Sequence, residues 1–89
     1  MSEPALVLSA RPRGALVLVG QLAARGPVQL VVCSTSDDGG TSTTYGSVAP
    51  GDVVVRHKTT RGTRIERWSL FGDVDTARTS LRLVDEEPE

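Results

Sequence analysis

Between positions 56 and 67 the chain sets Arg56, His57, Lys58, Arg61, Arg64 and Arg67, five permanent cations and one titratable imidazole within twelve residues. Guanidinium and ammonium groups at this density are the side chains that hold carboxylates and phosphates, Arg through a planar fork of donors and Lys as a point charge. Arg61-Gly62 falls between two runs of strand-like composition, residues 53–59 and 63–71. The stretch therefore reads as a β-hairpin displaying its cations to an anionic partner.

The register of such a hairpin decides what it can do. A two-residue Arg61-Gly62 loop sets Arg56 across from Arg67, a like-charge contact that only an intervening anion or partner carboxylate would relieve. A type I turn with Gly62 as the left-handed bulge residue sets Arg56 opposite Glu66 and Val54 opposite Trp68, and it spares Arg61 a positive φ. This second register is preferred. It makes the ion pair an ordinary exposed one, worth under about 1 kcal/mol, and leaves Lys58, Arg61 and Arg64 near the tip. A solvated hairpin then ranks above a phosphate-binding one, and the candidate contacts for a partner or anion are Arg56, Lys58, Arg61, Arg64 and Arg67.

Other chemistry is bounded by a thin inventory. The chain has one His, one Cys, one Tyr, one Trp, one Met and one Phe. A two-cysteine zinc half-site, a two-histidine metal site or an aromatic stacking platform cannot be assembled from one copy. His57 has no evident nucleophile beside it and reads as a partly exposed strand histidine. Ser34, Ser36 and Ser42 flank a polar, Gly-containing stretch without a nucleophile-elbow motif. The carboxylate pairs Asp37-Asp38 and Asp73 with Asp75 lack the alternation and closing Glu of a calcium loop. The expectation is a non-enzymatic protein without cofactor or metal.

At 89 residues a single domain buries only about 60 to 65% of its unfolded surface. With Leu, Val and Ala supplying nearly all the apolar volume, self-association is a natural remedy, so a homo-oligomer with a protein partner is expected. The net charge of −1 is uneven, because Asp85, Glu86, Glu87 and Glu89 crowd the last five positions. Without them residues 1–84 carry ten cations against seven carboxylates. The terminal acids read as a disordered, solubilising tail over residues 85–89; folding back onto the cations is ranked lower. Cys33 is alone, the N-terminus lacks a basic region ahead of an apolar stretch, and no run approaches the ~18 residues of a membrane span. A cytoplasmic protein or virion component without membrane contact is expected.

The chain as a whole reads as six to seven strands in a small antiparallel β-sandwich or open barrel. Residues 5–10 and 15–22 flank an Arg11-Pro12-Arg13-Gly14 turn and suggest a first hairpin. Residues 15–22 and 27–34 are nearly continuous apolar strands and read as a central pair with both faces covered, Cys33 packing within it as a small hydrophobe. Gly20 marks a bulge or a close approach by another backbone. Residues 35–44 are polar throughout and read as an exposed loop, followed by a short strand at 44–48 and a Pro50-Gly51 turn. A last strand, 79–84, turns Leu81 and Leu83 to one face.

Gly51-Asp52-Val53, with Thr59 and Ile65 downstream, resembles the strand pair of the trp RNA-binding attenuation proteins, which are ring-forming RNA binders. Arg64, Glu66 and Trp68 around Ile65 depart from the basic positions that family uses. Tyr45 with Val48-Ala49-Pro50-Gly51 is similar to a segment of the tendamistat-type α-amylase inhibitors, which are β-sandwiches, but Arg11-Pro12-Arg13 stands in the first turn and the paired cysteines are missing. Neither resemblance carries a function over. The leading expectation is a binding or assembly module presenting the Arg-rich hairpin 56–67 to a protein or other polyanion. The alternatives are an oligomeric, ring-like nucleic-acid binder using the same hairpin, and a phage or shell structural component.

Overall fold

Short runs rich in Val, Leu and Thr, each ended by Gly, Pro or Asp, favour extended backbone, where β-branched side chains pack without the χ1 restriction a helix imposes. The computed structural model describes residues 3–86 and contains β1 (Leu6–Ala10), β2 (Ala15–Leu22), β3 (Val28–Ser36), β4 (Thr41–Val48), β5 (Gly51–Lys58), β6 (Thr63–Phe71) and β7 (Ser80–Glu86). All strand pairings are antiparallel. They form a four-stranded sheet in the order β1-β6-β3-β4 and a three-stranded sheet in the order β5-β2-β7. The thinnest dimension of the molecule is 18 Å, which suits two sheets about 10 Å apart. No helix among the described residues is long and apolar enough to cross a membrane.

The inner faces of the two sheets close on one aliphatic core. Leu16 and Leu18 from β2 meet Leu30 and Val32 from β3 and Trp68 and Leu70 from β6, all nearly inaccessible to solvent. Each such side chain contributes roughly 1.5 to 3 kcal/mol relative to exposure. Leu81 and Leu83 of β7 pack against this core from the edge of the smaller sheet, as their common parity predicts.

Pairing differs from the hairpin reading. Among the described residues, only β3 and β4 are consecutive strands that are also paired; every other connection carries the chain from one sheet to the other. β1 pairs with β6 rather than with β2. β2 and β3 face each other across the core instead of sharing a ladder, each burying one face. β5 pairs with β2, and β6 lies between β1 and β3, so neither proposed register of a 56–67 hairpin exists. Arg56 stands opposite Val17, Val54 opposite Val19, and Trp68 between Leu8 and Val32. The physical reason is that each of these strands has one strongly apolar face, and crossing to the facing sheet buries it where a flat hairpin would not.

Three further expectations are corrected. Residues 35–44 are the end of β3, a tight turn and the start of β4, with Thr35 paired to Thr41. Their polarity reflects position, because β4 is exposed at every residue except Val48. Cys33 is exposed on the outer side of β3, beside Thr43. Asp85 and Glu86 belong to β7 and pair with Leu16 and Ala15; the remainder of the expected tail, residues 87–89, lies outside the described residues.

Gly20 is the close approach that its place in an apolar strand suggested. Its φ is +135°, and a Cβ there would collide with the Ser80 carbonyl oxygen of β7. Gly20→Ala is expected to lower unfolding free energy by about 3 kcal/mol or more in urea titrations. Gly26→Ala, at a site with open space and no positive φ, should change it by less than about 0.5 kcal/mol.

The β3–β4 turn is fastened by Asp38, whose carboxylate accepts from the Ser36 hydroxyl and from the Gly40 amide. Those bonds, the Ser36 one foremost, hold its pKa below the ordinary carboxylate value of 3.8. A depressed pKa means that this contribution is complete above 3.8 and is lost as pH falls through the lower folded value. The Gly40 amide chemical shift should therefore titrate with a midpoint below that ordinary value, and Asp38→Asn should abolish the titration.

Candidate anion-binding cleft

The β5–β6 connection builds one wall of an open cleft. Thr63 donates its amide to the Thr60 carbonyl, with Arg61 and Gly62 in the central positions of the turn. Gly62 has φ +89°, the left-handed value that a type II turn requires there. The Gly62 carbonyl accepts from Asp37 of the β3–β4 turn, and Gly14 of the β1–β2 connection accepts from both the amide and the hydroxyl of Thr59. Three connections are thus tied together at one end of the sandwich. The β1–β2 and β5–β6 connections, with the ends of β5 and β7, border about 860 Å³ lined by Arg13, Gly14, Arg56, Lys58, Arg61 and Glu86, among others.

The cleft brings together some of the predicted cations and excludes others. Arg56, Lys58 and Arg61 line it. Arg64 is exposed at the start of β6, outside the lining. Arg67 is exposed on the outer side of the larger sheet, between Ser9 and Cys33. The basic stretch that is continuous in sequence is therefore divided between two sheets. Arg13, which the sequence reading left in a turn, joins the lining instead; its amide donates to Asp85.

Acidic residues temper this site. Arg56 Nε lies 2.9 Å from Glu86 Oε2 across the outer face of the β5-β2-β7 sheet. Asp85 and Glu86 thus reach the cationic loops, the arrangement ranked below simple solvation from the sequence. Among the described residues, no carboxylate lies within ion-pair distance of Lys58 or Arg61. At the opposite end, Asp73 and Asp75 take Arg25 at 3.4 Å and Arg78 at 3.8 Å. No group of three potential metal ligands occurs among the described residues.

Beneath the cleft lies a polar cluster that sequence reasoning missed. Glu66, expected as the surface partner of Arg56, is fully buried. Its Oε1 accepts from Trp68 Nε1 at 3.0 Å and its Oε2 from the Ser34 hydroxyl at 3.3 Å. His57 reaches across from the facing sheet to place Nδ1 3.3 Å from the same Oε2. That contact has ion-pair distance without hydrogen-bond alignment, and Nδ1 is buried with no hydrogen-bond partner among the described residues. The imidazole meets the Trp68 ring edge-on at a centroid distance of 6.1 Å. Ser34 donates to Glu66 and not to His57, so the three groups are not ordered as a nucleophile, base and orienting acid. The available signal was parity: Glu66, Trp68 and Leu70 fall on one side of β6.

Removing this carboxylate strands several buried groups at once. Glu66→Ala is expected to cost about 3 kcal/mol in denaturant unfolding, because Trp68 Nε1 and the Ser34 hydroxyl lose their acceptor and the buried His57 ring loses the carboxylate beside it. Glu66→Gln keeps an acceptor for the indole and should cost less than half as much.

Compared with family models, curated proteins and solved structures, the chain matches none.

Proposed function

We propose that the protein is a non-enzymatic binding and assembly module whose cleft receives an anionic group of a partner. The observation carrying this reading is the pair Lys58 and Arg61, which line an open cavity without a carboxylate counterpart among the described residues. Two cations three residues apart on the β5–β6 segment suit a carboxylate or phosphate, with Arg supplying directed donors and Lys a mobile charge. Glu86, already engaged by Arg56, limits how much negative charge the cleft accepts, which favours a localised acidic segment of a protein over a long polyanion. We place the protein in the cytosol or a virion, acting as a homo-oligomer.

The nucleic-acid reading depends on phosphate contacts alone. Arg67 lies on the outer side of the other sheet and Tyr45 on β4, away from the cleft, so this reading lacks a shared platform of cations and rings.

Fluorescence anisotropy with a labelled oligoglutamate peptide and with a labelled single-stranded RNA at low salt tests both readings. The peptide is expected to bind, to weaken as salt rises, and to lose about tenfold in affinity in Lys58→Ala/Arg61→Ala. Failure of the peptide to bind, or indifference to the double substitution, rejects the cleft. RNA binding that the double substitution abolishes would move the assignment to nucleic acid.

A further inference from the structure

The two open sheets end in four edges, and three of them are guarded. β5 carries Asp52, Arg56 and Lys58, and β7 carries Arg82, Asp85 and Glu86. β1 is only five residues long and is flanked by Pro4 and Arg11. Charges, proline and short length are the usual devices that keep sheet edges from pairing with other chains. β4 is neither charged nor short, and Pro50 stands two residues past its end, outside the ladder. It runs for eight residues in regular register with β3, and no charged residue occurs between Gly39 and Gly51.

β4 is also the strand left over when four strands cover three. Seven of its eight residues are exposed, on both faces. Thr41, Thr43, Tyr45 and Ser47 fall on the outer side, opposite Thr35, Cys33, Val31 and Gln29, while Ser42, Thr44 and Gly46 fall on the inner side. Its free edge presents backbone donors and acceptors along its length, and apart from Tyr45 its exposed side chains are short hydroxyls or hydrogen, with no charge among them.

We propose that β4 pairs antiparallel with β4 of a second copy of this chain about a two-fold axis, joining two four-stranded sheets into one of eight. An uncharged strand can oppose itself without like-charge contacts, which no other edge of the molecule could do over comparable length. The axis keeps faces in step, so that the Thr and Tyr45 side chains of both copies share one surface and Ser42 and Thr44 of both share the other. Because β4 overhangs the smaller sheet, the two three-stranded sheets stay apart by about two strand spacings, roughly 10 Å, and do not collide. Tyr45, 68% exposed in one copy, gains a neighbouring strand to lie across. The two-fold consumes both free edges, so association stops at the pair. This inference rests on the self-associating part of the proposed function and names its surface.

Sedimentation equilibrium and amide hydrogen exchange on the full chain, from micromolar to millimolar concentration, provide the test. The mass should rise from 9.4 kDa towards twice that value, and amides within residues 41–47 should gain protection in parallel. Thr44→Lys should weaken the pair by at least about tenfold while leaving binding of the oligoglutamate probe unchanged. Ser42→Lys serves the same purpose if Thr44→Lys fails to fold. A mass of one chain at every concentration overturns both this inference and self-association. A dimer whose new protection falls on other strands, or that ignores both lysines, overturns edge pairing alone. Growth without limit beyond the dimer overturns the two-fold closure.

Discussion

The hydrogen bond from the Trp68 indole to Glu66 is the interaction around which the sandwich is organised. Trp68 is the largest side chain wholly enclosed by the two sheets, and an indole N–H in that setting must find an acceptor or forfeit the benefit of burying the ring. Glu66, two residues earlier on the same face of β6, supplies it. A carboxylate at that depth needs its own partners, and these come from the adjacent strand through Ser34 and from the opposite sheet through His57. One requirement of one ring thus links β3, β5 and β6. Purely aliphatic contacts between Val and Leu would tolerate sliding, whereas the hydrogen bonds at Glu66 hold β6 and β3 in step and the His57 imidazole adds a polar contact from the facing layer.

Local features proved readable where they depend on neighbours in sequence. The boundaries of most strands follow from Gly, Pro and Asp punctuation, and the close approach at Gly20 and the shared face of Leu81 and Leu83 follow from residue type and parity. Pairing partners did not follow, because short connections such as Arg11 to Gly14 and Thr59 to Gly62 suit a passage between sheets as well as a turn within one. The β4 segment was misread for a different reason. Alternation reports burial, and a strand exposed on both faces has no alternation to show.

The same distinction governs the cleft. A run of cations in sequence suggests one positive surface, yet adjacent residues of a strand point to opposite sides, and consecutive strands here belong to different layers. Arg67 is thereby separated from Lys58 and Arg61, while Arg13 arrives from a distant connection. Glu66 was assigned outward for want of any hint that a facing histidine and a neighbouring serine would receive it.

The passage of nearly every connection between layers also shapes how the molecule can form. Apart from β3 and β4, no two successive strands can gain ladder hydrogen bonds until a strand from elsewhere in the chain has arrived. β2 must await β5 on one side and β7 on the other, and β1 must await β6. Assembly is then dominated by closure of long loops, which places such a topology among slow folders for its size. During synthesis, the smaller sheet cannot be completed until the β7 segment has left the ribosome, so the emerging chain holds the apolar faces of β2 and β5 in waiting until then.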